Sequence, residues 1–196
     1  MLLAVAMAVI TAAVALGASV GLSPAQTHAQ QGFTVDHAPL VSPVDCETSC
    51  VVVGHSSIIR ADNVVTYGVR ASLGRLRVYT VWAFAFNNPQ ACASSPCGAA
   101  DLGDPDTQPT LFRLDSANSD SAGTVLIFGL MRAGGQAGAT VFGGGLTNPE
   151  GAELHLVLRN HGRPSLTGLL SEPGSYLSGC NPDVSRCQNQ AIAIHD

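Results

Sequence analysis

The stretch Leu76-Arg77-Val78-Tyr79-Thr80-Val81-Trp82-Ala83-Phe84-Ala85-Phe86 decides the fold class. In an extended chain, successive side chains point to opposite faces. Leu76, Val78, Trp82, Phe84 and Phe86 then fall on one side, and Tyr79, Val81, Ala83 and Ala85 on the other. Both sides are apolar, and the run is rich in aromatic and β-branched residues without helical spacing. It predicts a central strand covered on two sides. Asn87-Asn88-Pro89 ends it, because proline lacks the N–H a ladder needs. Thr124 to Arg132 has the same two-sided character, and these two segments are the expected centre of the core.

Outward from this run, similar segments recur at 33–41, 50–59, 64–70, 110–115, 137–146, 153–159 and 189–195, with Gly, Pro, Asn or Asp between them. No convincing helical pattern interrupts them. The expectation is an all-β chain: a single β-sandwich or barrel-like domain of about nine strands with disulfide-pinned loops. Glu153 to Arg159 alternates, with Leu154, Leu156 and Leu158 opposed to Glu153, His155, Val157 and Arg159. That pattern predicts a half-buried strand with one largely polar face. The last strand sets Ile192 and Ile194 against Ala191, Ala193 and His195. The segments 87–109 and 171–188 read as long surface loops stapled by cysteines. Gly134 to Gly145 matches no phosphate-binding glycine motif and reads as a bulged hairpin.

Residues 1–29 contain no Asp, Glu, Lys or Arg, and Leu2 to Leu22 is almost entirely aliphatic. Gly17, Gly21 and Pro24 weaken the end of this run, and Thr27-His28-Ala29 places small residues where a signal peptidase reads them. The expectation is a signal peptide over 1–29, with an uncleaved N-terminal anchor as the alternative. Residues 30–196 then form one domain, secreted, periplasmic or held at the cell envelope, with no membrane span after signal removal. The net charge is −5, and the sequence has no Lys and no basic cluster. That argues against nucleic acid, because phosphate binding needs a dense positive footprint.

All six cysteines follow residue 29 and fall into three close pairs: Cys46 with Cys50, Cys92 with Cys97, and Cys180 with Cys187. Spacing favours local disulfides in an oxidising compartment, although six cysteines allow 15 connectivities in principle. Zinc held by the first two pairs is the competing reading, and export weighs against it.

Three kinds of activity remain in view. His155, His161 and His195 are candidate ligands for zinc or copper. In a fully extended chain His155 and His161 would stand ~20 Å apart, so convergence needs a turn at Asn160-His161-Gly162. His195 joins only if the last strand pairs beside 153–159. His55 shares a face with Val51, Val53 and Ile59, which suggests a core histidine. For serine chemistry there is no G-x-S-x-G elbow, and Gly54-His55-Ser56-Ser57 sets a histidine beside serines without the arrangement of a triad. Asp101, Asp104, Asp106, Glu150 and Glu153 offer carboxylates, none marked as a pair, and they read as solvated loop residues. The third kind is binding, which needs only a rigid scaffold and exposed loops.

Ala152-Glu153-Leu154-His155-Leu156-Val157-Leu158-Arg159-Asn160-His161-Gly162, the Cys180 loop and Gln190-Ala191-Ile192-Ala193-Ile194-His195 together resemble a group of uncharacterised secreted bacterial proteins. More distantly, the segment is similar to chordin-type repeat domains, extracellular β-folds with a Glu-Leu-His strand. The H-x-H pairs often found in those strands are absent. The resemblance implies an extracellular location and a β-sandwich. The combined expectation is a non-catalytic binding or envelope-associated module that needs no cofactor, with an extracellular ligand or envelope component as its partner. A metal-binding protein or metal-dependent enzyme using the three histidines is the alternative.

Overall fold

The computed structural model describes residues 33–43, 50–134, 140–164 and 187–196. The expected export segment and Cys46 and Cys180 lie outside these. The described residues form strands β1 (Thr34–Val41), β2 (Val52–Ala61), β3 (Val64–Ser72), β4 (Val78–Phe86), β5 (Pro109–Asn118), β6 (Thr124–Arg132), β7 (Thr140–Phe142), β8 (Glu153–Asn160) and β9 (Gln188–His195). Each expected segment overlaps one of them. Short 3-10 turns at Pro89–Ala91, Ala99–Gly103 and Pro105–Thr107 interrupt the β4–β5 connection. No helix among the described residues is long and apolar enough to cross a membrane.

All nine strands join one sheet in the order β6-β3-β2-β1-β9-β8-β4-β5-β7, and every pairing between them is antiparallel. The sheet curls. Laid flat, seven interstrand steps would hold β6 and β5 ~34 Å apart. Yet Val125, Ile127 and Met131 of β6 share one apolar cluster with Phe112 of β5. The result is a half-barrel, and of the two expected architectures the barrel-like one describes it.

The concave face holds the core. Leu40, Ile58, Val65, Val69, Val81, Leu154, Leu156 and Leu158 are all buried within that cluster, next to the small Ala83, Ala85, Ala191 and Ala193. Small residues on β4 and β9 let the sheet close around the larger side chains of β3, β6 and β8. Gly54 and Gly129 serve the same closure. A Cβ on Gly54 would lie 2.1 Å from the Arg70 carbonyl oxygen, and one on Gly129 would lie 2.7 Å from the Tyr67 hydroxyl.

Three expectations about faces need correction. β4 is central, between β8 and β5, and its two faces are covered as expected. Leu76 falls outside it, however, in a positive-φ turn, and is exposed. β6 is an edge strand, not a second centre: Leu126, Phe128 and Leu130 stand exposed on its convex side. An edge strand has one sheet neighbour, and only its concave side chains reach the core. In β2 the buried set is Ser56, Ile58 and Arg60, so His55 lies exposed on the convex face beside the exposed Val51 and Ile59.

Candidate ligand cavity

β8 carries the fourth correction. Its alternation is as expected, but the face with Glu153, His155, Val157 and Arg159 is buried too. Register explains what that face meets. Phe84 of β4 stands opposite His155, and His155 opposite Ile194 of β9. One row along, Trp82 stands opposite Val157 and Val157 opposite Ile192. The rows form an apolar floor with His155 at its centre, and the His155 ring meets Phe86 edge-on at a centroid distance of 5.3 Å.

The connection from β4 to β5 folds over this floor. Cys92 and Cys97 are joined by a disulfide with their Cα atoms 5.3 Å apart. Cys50 and Cys187 each belong to a disulfide as well, with partners outside the described residues. With its thiols oxidised, the Cys92–Cys97 pair is unavailable as a zinc knuckle. The same holds for Cys92, Cys97 and Asp101, which lie within 4.8 Å of one another.

Several hydrogen bonds make the connection rigid. The Asp101 carboxylate accepts from the backbone N–H groups of Ala93 (2.9 Å) and Gly98 (2.6 Å), and these hold its pKa below the ordinary carboxylate range. Thr107 Oγ1 donates to the carbonyls of Asp101 and Asp104, at 2.8 Å each. Asn87 ties the foot of the loop down: its Nδ2 donates to the Gln108 and Gly145 carbonyls, and its Oδ1 accepts from Thr147 and Asn148. At the top, the Cys97 N–H donates to Glu153 Oε1 at 2.7 Å, and His155 Nε2 lies 2.5 Å from the same oxygen. Asp101 and Glu153 are therefore buried braces, not the solvated acids expected from sequence.

Between floor and loop lies a cavity of about 360 Å³, walled by Phe84, Phe86, Leu102, Val157, Ile192 and Ile194, with His155, Asn189 and residues Cys97, Gly98 and Ala99 completing it. The volume falls at the lower end of the range typical of small-molecule sites. Among the described residues, no cationic side chain lines it. Sequence reasoning picked out His155 but missed its setting. The available signal was the second apolar face of β4: Trp82, Phe84 and Phe86 had to be covered by something, and the loop that begins at Asn87 was the nearest chain.

The three candidate metal ligands do not come together. β9 does pair beside β8, as convergence required, but His195 stands opposite Leu154 and faces the concave side, while His155 faces the convex side. His161 follows β8, buried, with its Nδ1 3.7 Å from Cys187 Sγ. Each imidazole thus has its own surroundings, and a shared ion would need all three at ~2.0–2.1 Å.

His195 instead bridges Asp36 and Ser56: Nδ1 lies 2.6 Å from Asp36 Oδ2, and Nε2 lies 2.9 Å from Ser56 Oγ. The connectivity is that of a serine hydrolase, but the exposure is inverted. The Asp36 side chain is 39% exposed, whereas Ser56 is 2% and His195 0%. A nucleophile must meet its substrate, so this array is a clasp joining β1, β2 and β9. Arg60 extends it by donating to the carbonyls of Pro149 (2.9 Å), His195 (3.4 Å) and Asp196 (3.2 Å).

Fold and site define an all-β half-barrel with an open, mostly apolar cavity on its convex face, walled in part by the β4–β5 loop. No protein-family model, no curated protein and no solved structure matches the chain.

Proposed function

We propose that this chain is a non-catalytic binding protein of the secreted or cell-envelope compartment, and that it takes a small, largely apolar molecule into the cavity between the β4–β8–β9 floor and the Cys92–Cys97 loop. The observation that carries the reading is the pairing of an apolar, concave lining with a wall already held in place by a disulfide and by buried hydrogen bonds. Preorganisation matters because a wall ordered before binding loses no further conformational freedom when the ligand enters. An oxidising compartment suits the disulfide. The charge-free segment at 1–29 and the resemblance of 152–162 to extracellular chordin-type strands point the same way.

The test is titration with N-phenyl-1-naphthylamine, a neutral dye that brightens in apolar surroundings. Saturable one-to-one binding that is abolished by Leu102→Glu, with the circular dichroism of the variant unchanged, is the expected result. Absence of saturable binding by the wild-type chain refutes the reading.

A further inference from the structure

We infer that the ligand of this cavity is an uncharged hydrogen-bond donor, an alcohol or phenol, whose hydroxyl meets Nδ1 of His155. The inference rests on the binding reading above and adds the chemistry of the ligand's polar end.

It starts from Glu153. Its Oε1 accepts the Cys97 N–H, a donor fixed by the backbone, and the same oxygen faces His155 Nε2. A carboxylate oxygen in that position is an acceptor, so Nε2 carries the proton it receives. In the neutral ring this leaves Nδ1 with a lone pair, because the hydrogen bond made by one nitrogen sets the tautomer of the other. Among the described residues His155 has no hydrogen-bond partner besides Glu153. Nor is its Nδ1 a sealed, orphaned atom of the kind Thr80 Oγ1 is. His155 lines the cavity, and the inferred hydroxyl reaches this acceptor from that side.

An acceptor at the centre of an otherwise apolar floor selects for a donor. A carboxylate or phosphate ester would find no cationic side chain among the described lining residues and would approach the Glu153 carboxylate behind His155. A pure hydrocarbon would cover Nδ1 without pairing it, and a buried unpaired polar group costs free energy. An ammonium group would have to shed its water against Phe84, Phe86 and Ile194, a larger cost still. A single hydroxyl on an apolar body pairs Nδ1 and covers the apolar side chains without stranding a charge.

The experiment compares 1-naphthol with 1-methoxynaphthalene, naphthalene and 1-naphthoate on the wild-type, disulfide-intact chain by calorimetry. The first two share a shape and differ in the donor. The expected result is 1-naphthol binding about tenfold tighter than the other three, the ratio that one satisfied hydrogen bond supplies. Long-range 1H–15N spectra should show the His155 Nδ1 signal moving with naphthol and staying put with the methyl ether. Equal affinities for naphthol, its ether and naphthalene overturn the hydroxyl assignment while leaving apolar binding intact, and so does tighter binding of naphthoate. If none of the four binds, the assignment falls together with the binding reading.

Discussion

The Cys97 N–H donates to Glu153 Oε1 across the top of the cavity, so one buried carboxylate fixes both the loop and, through His155 Nε2, the floor. Glu153→Ala leaves the Cys97 N–H and the imidazole without their acceptor, and the cost expected for two stranded buried groups is about 2–4 kcal/mol. Glu153→Gln keeps one acceptor oxygen and should lose less. Urea unfolding of the three proteins measures this, and a Glu153→Ala variant as stable as wild type would show that the loop is not braced here.

The Cys92–Cys97 ring is short, so its removal should weaken the fold modestly and the cavity more. Loop-closure entropy assigns it ~2 kcal/mol. The double variant Cys92→Ser, Cys97→Ser is expected to fold, to unfold at lower urea, and to bind N-phenyl-1-naphthylamine more weakly, because the wall must then be ordered at each binding event. Undiminished dye affinity in the double variant would remove the loop from the site.

How much of this was legible in the sequence depends on whether period or register was in question. Period 2 placed every strand, because alternation is a local property, and it divided Leu154, Leu156 and Leu158 correctly from His155. Register is not local. Whether His195 would stand opposite His155 or Leu154 turned on one residue, and a slip of one residue moves a side chain to the other face of the sheet. The observed pairing with Leu154 sent His195 to Asp36 and Ser56, some 140 to 160 positions away in sequence, a meeting that no short-range pattern encodes. Covering was illegible for a similar reason. Glu153 and Arg159 read as solvent-facing because charged groups usually are; the loop folded from Asn87 covers Glu153, whose Oε1 receives the Cys97 N–H, and Arg159 donates to Asn189 Oδ1 of β9. On β2 the rule failed in the same direction: Arg60 lies inside because the backbone carbonyls of Pro149, His195 and Asp196 receive it.

Thr80 offers a stabilising substitution. It is fully buried on β4, opposite Arg159, and its hydroxyl has no hydrogen-bond partner among the described residues. Valine keeps the branched shape that suits a strand and removes the orphaned group, so Thr80→Val should raise stability by about 1 kcal/mol. Thermal and urea unfolding should agree on the sign. A loss of stability would mean that the hydroxyl is satisfied in solution.

The clasp at His195 predicts how stability follows pH. Burial, the largest influence, holds this imidazole below its ordinary value. The hydrogen bond and charge of Asp36 oppose burial, while Arg60 and His37 add to it. A histidine whose affinity for protons is lower in the folded state takes up its proton preferentially when the chain unfolds. Above the unfolded value of about 6.5 both states are neutral there, and the residue adds no pH dependence. Below it the unfolded chain binds more protons, so unfolding becomes easier as pH falls, until the folded imidazole is protonated too. The free energy of unfolding should therefore be level above pH ~7 and decline toward pH 5. In His195→Gln, which can still bridge Asp36 and Ser56 but does not titrate, that decline should shrink. Asp36→Asn removes the influence that favours the proton and should steepen it. Equal slopes in wild type and His195→Gln would assign the acid sensitivity to other groups and leave the clasp a purely structural bridge.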